Sequence, residues 1–229
     1  MLRPSSFFPL AGRRCRQADE GQRQPQPACV LMARTRAKDY DDKRDAILHG
    51  AAAIFARDGY DRASMSQLAG EMGVSKALLY HYYASKEALL YDIVATHLQA
   101  LVEAVEEADR PGASPETRLE GLVTALLEAY RDADNEHRVQ LSGLKLLPEP
   151  QQEELKALER RLVALFAEAV RQLNPAAFEG KPLLKPVTMS LFGMLNWFYM
   201  WFREDRGISR ADYASVATHL LVSGVKGLA

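Results

Sequence analysis

Between positions 76 and 82 the chain places an ammonium, two phenols and an imidazole on a short run, KALLYHY, inside the longer stretch SMSQLAGEMGVSKALLYHYYASKEAL at residues 64–89. Lys76 can donate to guanine O6/N7, and Tyr80, His81 and Tyr82 can reach phosphate oxygens or flanking base edges. Ala77 and Leu78 offer apolar contact to a thymine methyl. These groups are useful together only on one side of a rigid rod. Helical spacing supplies that: Lys76 and Tyr80 are i, i+4 neighbours, while Leu79 and Tyr83 form a second i, i+4 pair suited to a core. The chemistry implied is recognition of a duplex by contact, with no reaction.

The flanking residues form the elements that would hold such a rod. Ser64 can N-cap a preceding helix, with Gln67 closing a capping box, and Leu68, Ala69 and Met72 supply its apolar face. Gly73 stands where the chain needs positive φ, Val74 anchors the turn, Ser75 caps the second helix and Ser85 a third. This is a helix-turn-helix whose second helix presents its first residues, Ser75, Lys76, Ala77 and Leu78, to a major groove. Ser64 can offer its hydroxyl and nearby amides to a phosphate. Arg34, Thr35 and Arg36, ahead of the first long helix, are placed to reach the backbone or the minor groove.

The order GYDRASMSQLAGEMGVSKALLYHYYASKEALL at residues 59–90, after an amphipathic helix over about 42–58, resembles the TetR/AcrR family of bacterial transcription regulators. The resemblance covers roughly residues 40–95. It implies a three-helix DNA-binding domain, a larger helical domain that binds a small molecule, and a homodimer in which the last two helices pair with their symmetry mates. It also aligns Lys86 with a position that touches phosphate. Ala77 and Leu78 depart from the Gly or Pro and Thr common in the family, so direct hydrogen-bond readout there is thin.

The whole chain of 229 residues has a formal net charge of −1, with 48% hydrophobic and 26% charged residues. That suits a helical protein with ample core, and it leaves DNA affinity to a few placed cations, doubled by dimerisation. Charge is uneven: residues 1–40 carry eight Arg/Lys and three Asp/Glu, which leaves residues 41–229 at −6. Residues 1–31, rich in Pro, Arg and Gln, read as a disordered extension, either preceding a true start at Met32 or acting as a basic arm. Cys15 and Cys29 both lie there, so no disulfide or metal framework is expected, and a reducing cytoplasm is the natural compartment. The sixteen uncharged residues 187–202 are too short to span a membrane and read as a helix buried between this subunit and a partner.

No strand pattern is visible, and the fold expected is all-α with about nine helices. They run over about 42–58, the two of the motif, 85–109, 114–132, one capped by Asn135 and fading near 147, 151–173, 183–203, and 209–226 with Ser209 and Asp212 as a capping box. The organisation expected is an extension at 1–31, a helix-turn-helix domain at 32–90 and an effector-binding and dimerisation domain at 91–229. Leu126, Tyr130, Leu141, Leu144, Met194, Trp197 and Trp201 are the candidate effector-pocket residues, competing in each case with plain core. The segment SLFGMLNWFYMWFR resembles one in family members that sense acyl-CoA thioesters, in which case Arg138, Lys145 or Arg203 would meet the CoA phosphates. A lipophilic drug controlling an efflux pump is the other effector considered.

No nucleotide-binding glycine loop, nucleophile elbow or HExxH occurs, and Ser142–Lys145 fits SxxK without its partner motifs, so neither enzyme nor cofactor is expected. A helical interaction protein without DNA binding would account for the later helices but not for residues 75–86.

Overall fold

The computed structural model describes residues 27–204 and 206–228, with side chains from residue 39 onward. It divides into two compact units, Met1–Asp41 and Asp42–Ala229, and both hydrophobic cores belong to the second. The described residues form eleven α-helices and one 3-10 turn, with no strand among them. In order these are α1 (Pro27–Asp58), α2 (Met65–Glu71), α3 (Lys76–Tyr82), α4 (Lys86–Ala108), α5 (Pro115–Ala129), α6 (Asp134–Gly143), the 3-10 turn Leu144–Leu146, α7 (Glu149–Leu173), α8 (Pro175–Phe178), α9 (Leu184–Asn196), α10 (Phe198–Trp201) and α11 (Arg210–Lys226).

Most of the expected caps form. Ser75, Ser85 and Ser114 each accept the backbone N–H of the third residue on, at 3.0, 3.0 and 3.2 Å, and Ser209 with Asp212 forms a full capping box. Each such cap stabilises its helix by about 1 kcal/mol. Ser64 accepts from the Gln67 amide at 3.2 Å, but the Gln67 side chain turns to Asp58 and Glu71, so no reciprocal box forms there. Asn135 is not a cap: α6 starts at Asp134 with Ala133 ahead of it and no side-chain cap bond.

Boundaries differ where chain chemistry leaves more than one answer. α1 opens at Pro27 rather than near 42, because residues 28–41 are mostly good helix formers with no Gly or Pro, and Pro27 suits a first helical position. The expected disorder of residues 1–31 otherwise lies outside the described residues. The single helix expected over 183–203 is broken at Trp197 into α9 and α10, with α8 as an extra turn before it.

The core lies in two clusters threaded by α4. Toward its N-terminus Leu89, Leu90, Ile93 and Val94 pack on Ile47, Ala51 and Phe55 of α1, Leu68 of α2 and Leu79 of α3, all buried. Farther on Leu101, Val102 and Val105 join α5, α7, α9 and α11 through Leu122, Phe166, Leu191 and Leu221. Of the described helices, α4 alone is long and apolar enough to cross a membrane by length and composition, and its apolar residues supply both cores. Arg118 and Asp109 form a nearly buried bidentate pair at 2.6 and 2.8 Å, which closes the α4–α5 corner.

Where the two clusters meet, the interior is polar. His97 and His137 are buried, packed against Tyr130 at 6.2 and 4.5 Å between ring centroids and against each other at 5.9 Å. Nε2 of His97 makes no hydrogen bond, and the His137 ring lies beside the Asn196 carbonyl and the Gln140 side chain without a well-aligned one. Burial, with His137 adding to it, pushes the His97 imidazole down to about 3, and burial lowers His137 as well. Between the folded value and the ordinary 6.5 the unfolded chain therefore binds more protons than the native one, so stability falls with decreasing pH in that window. We expect urea unfolding at pH 5.5 to show stability lower than at pH 7.5 by about 1 kcal/mol on account of His97, with His137 acting in the same direction. His97→Phe is expected to remove its share of that slope, and an unchanged slope would contradict neutral burial.

Candidate nucleic-acid interface and effector cavity

α2 and α3 are seven residues each and meet at a turn built by Gly73, whose φ is +67°. The Gly73 and Val74 amides return to the carbonyls of Gly70 and Ala69 at 3.3 and 3.0 Å, closing the end of α2. α3 buries Leu79 completely, and Tyr83 just past it donates its hydroxyl to Asp92 Oδ2 at 2.7 Å. The opposite side is open: Ser75, Lys76, Ala77 and His81 are exposed and Tyr80 is 46% exposed. The Lys76 ammonium lies 5.8 Å from the Tyr80 ring centroid, so the two form one cationic and aromatic edge. Exposed Ser64 stands at the start of α2.

Three residues expected at this surface are placed differently. Tyr82 is half-buried against the helix-turn-helix core, one turn past Leu79, with the His81 ring 5.5 Å away edge-on. Leu78 is half-buried. The Lys86 ammonium donates to the carbonyls of Tyr60 and Ala63 at 2.7 and 2.8 Å and lies 4.1 Å above the Tyr60 ring. Two of its three donors are thus engaged inside the subunit, where they fasten the start of α4 to the α1–α2 connection. The side chains of Arg34, Thr35 and Arg36 lie outside the described residues.

Of the seven candidate effector residues, the structure brings only Tyr130 to the cavity between the helices of the body. That cavity, about 170 Å³, lies between α4, α6, α7 and α9 with Leu98, Leu101, Leu162 and Phe192 as its apolar walls. Tyr130 donates to Asn196 Oδ1 at 2.9 Å, and Gln140 Nε2 donates to Glu159 Oε1 at 3.1 Å, so one end is polar. Leu126 is sealed in the core, and Leu144 packs with the helix-turn-helix cluster. Leu141, Trp197 and Trp201 are exposed, at 53%, 62% and 46%. Met194 faces an apolar groove between α9 and α11. For Trp201 the α9–α10 break at Trp197 changes the register that a continuous helix would have given it, whereas Leu141 lies on the outer side of α6.

The residues that sequence reasoning missed are His97, His137, Gln140, Glu159 and Asn196. A signal exists for His97, which falls in the apolar rhythm of Ile93, Val94, Leu98 and Leu101. Of the three cations considered for CoA phosphates, Arg138 and Arg203 line one surface cleft beside Tyr199, and the Arg138 guanidinium lies 5.3 Å from that ring. Lys145, in the 3-10 turn, is not among the residues of that cleft.

The clamp made by Lys86 separates fold from surface in a measurable way. Lys86→Met leaves two carbonyls without their charged donor and is expected to cost about 1–3 kcal/mol in urea unfolding. Lys76→Ala, on the exposed edge of α3, is expected to change stability by less than about 0.5 kcal/mol.

Comparison with known proteins accords with this geometry. Residues 47–93 match the family model described as bacterial regulatory proteins, tetR family, and residues 112–225 match a tetracyclin repressor-like C-terminal domain. The transcriptional regulator RutR of Escherichia coli K12 is 30% identical over 153 residues, 65% of this chain and 72% of RutR. Three further curated regulators align over only 40%, 39% and 30% of their own lengths. Among solved structures, a TetR-family regulator from Bordetella parapertussis 12822 is 37% identical with a TM-score of 0.75, covering 80% of this chain and 95% of that one. AibR, solved in complex with isovaleryl coenzyme A and operator DNA, is 25% identical with a TM-score of 0.67, over 78% of this chain and 97% of its own. A helix-turn-helix capped and clamped as described, followed by a helical body that matches the family's C-terminal domain, places this chain in the TetR family of bacterial transcriptional regulators.

Proposed function

We propose that the chain is a ligand-responsive, sequence-specific DNA-binding repressor of the cytoplasm, released from a palindromic operator by a small hydrophobic or acyl-CoA-type effector. The observation that carries the reading is the exposed edge of α3, where Ser75, Lys76, Ala77, Tyr80 and His81 face outward on a helix whose other side is locked into the core. Lys76 and the aromatic donors read base edges and backbone, and the helix N-termini and Ser64 hold phosphates. Neither the chain's charge nor α3 alone provides strong binding, so two copies are needed.

Dimerisation through α9 and α11 fits the apolar groups left outside this subunit. Val216 and Leu220 on α11 and Met189 and Trp197 at the α9 side are exposed. Gly193 and Gly224 face open space, where a second backbone can approach closely. Ala217 and Leu221 of the same α11 seam are buried within the subunit, so α11 has an inner and an outer apolar face. A two-fold pair would present two α3 helices about 34 Å apart on successive major grooves.

The effector acts through α6. This helix carries Gln140 to the cavity wall and His137 to the aromatic cluster, while its Glu136 accepts a 2.6 Å hydrogen bond from His49 Nδ1 of α1. Gly143, near its end, lies against Leu90 of α4 so closely that an added Cβ would come within 2.9 Å of Leu90 Cδ1. A ligand that displaces α6 must therefore move α1 and α4 with it, and the shift is limited by its differential affinity for the two conformers. The similarity to AibR supports the acyl-CoA class, with Arg138 and Arg203 at the surface cleft as the cations available to its phosphates.

A duplex taken from the region upstream of the gene tests the proposal. Lys76→Ala with Tyr80→Ala is expected to weaken binding at least about tenfold, and Lys76→Ala to lower the salt slope by about one, with melting and oligomeric state unchanged. Leu220→Arg is expected to give monomers in sedimentation and a comparable loss of DNA affinity. Binding indifferent to all these changes would defeat the reading.

A further inference from the structure

The cavity between α4, α6, α7 and α9 has an electrostatic character that narrows what it accepts. Its walls are leucines and Phe192, and its volume of about 170 Å³ is near that of engineered apolar cavities that hold a single aromatic ring. The one carboxylate on its lining is Glu159, and no Lys, Arg or His lines it. No cation among the described residues lies within ion-pair distance of that carboxylate, which receives the Gln140 side-chain amide. Because Gln140 points its nitrogen at Glu159, its buried Oε1 turns toward the His137 imidazole without a well-aligned hydrogen bond, and the residue as a whole is 9% exposed. A third oxygen, Asn196 Oδ1, already accepts from Tyr130 and retains a second lone pair.

Glu159 thus gives the polar end its one formal charge, with the Gln140 and Asn196 amide oxygens as neutral acceptors beside it. A buried acceptor without a donor carries an unrecovered desolvation cost, which a ligand N–H or O–H would offset. A ligand carboxylate would instead face the like-charged Glu159 carboxylate at short range and be repelled. We infer that this cavity binds a ring-sized apolar molecule carrying a hydrogen-bond donor at one end, an amine or an alcohol, and excludes the corresponding carboxylate. The inference rests on the ligand-responsive reading and names the ligand chemistry of its site. An acyl chain entering the same space would have to leave its anionic portion outside, on the side away from Glu159.

Benzylamine, benzyl alcohol and benzoate, matched in size, separate the possibilities by calorimetric titration of the full chain. Benzylamine and benzyl alcohol are expected to bind at least about tenfold more tightly than benzoate. Glu159→Gln, at a partly exposed position where folding is tolerant, is expected to weaken benzylamine about tenfold and leave benzyl alcohol nearly unchanged. Val163→Phe, which fills the cavity from α7, is expected to abolish both, with a melting curve establishing that the variant is folded. Benzoate binding as tightly as benzylamine, binding that survives Val163→Phe in a folded variant, or no binding by any of the three would overturn the inference. Operator retardation in parallel keeps the two readings apart. A chain that shifts its operator but ignores all three probes loses the cavity assignment alone, and one that binds the donor probes but no upstream duplex loses the repressor assignment.

Discussion

Two charged side chains near the start of α4 hold the helix-turn-helix at a set angle to the long helix behind it. Lys86 ties the first turn of α4 to the Tyr60 and Ala63 carbonyls, and Asp92, between one and two turns on, gathers Arg44 of α1 and the Tyr83 hydroxyl. The Arg44 pair is bidentate, at 3.1 and 2.7 Å, and only partly exposed, a geometry that fixes direction as well as distance. Hydrophobic packing of α1, α2 and α3 alone would hold these helices together. It is non-directional, however, and would not by itself aim α3. The exposed edge of Lys76 and Tyr80 has a defined orientation because the other side of the same unit is held by directional bonds.

From that clamp the architecture extends along α4, which supplies buried side chains to both cores. α6 acts as a cross-brace: one end meets α1 through Glu136 and His49, and the other meets α4 where Gly143 lets Leu90 approach. Between these fixed points lies the polar interior of His97, His137, Tyr130 and Gln140. Burying imidazoles with poorly satisfied nitrogens opposes folding, and the surrounding leucines and valines must offset it. Because close-packed interiors repack in steps and do not deform smoothly, α6, α1 and α4 are mechanically coupled through these contacts.

The two apolar surfaces have different physical origins. The cavity is walled by the subunit's own helices, with the exposed Met189 at its edge, and has a chemically distinct end. The α9–α11 surface is open, carries large exposed side chains such as Trp197 and Leu220, and leaves two glycines without neighbours. The first combines apolar walls with a polar end, and the second is apolar throughout.

Elements with local signals are legible in the residue order alone. Ser64, Gly73, Ser75 and Ser85 punctuate the helix-turn-helix through caps and a positive φ that no distant residue can alter, and Leu79 against Tyr80 sets which side of α3 is buried. Whatever depends on partners far along the chain emerges only once it has folded. Lys86 reads only as a phosphate donor until the Tyr60 and Ala63 carbonyls are seen to take two of its three N–H groups. Trp197 and Trp201 have pocket-like composition, but both stand exposed around a helix break at position 197 that periodicity does not reveal. His137 and Gln140 give no local sign of their role, because a polar residue on a short helix reads as solvated until other helices close over it. Local dihedral preferences are written in neighbouring residues, whereas a cavity is defined by what surrounds it, and that is a property of the folded chain.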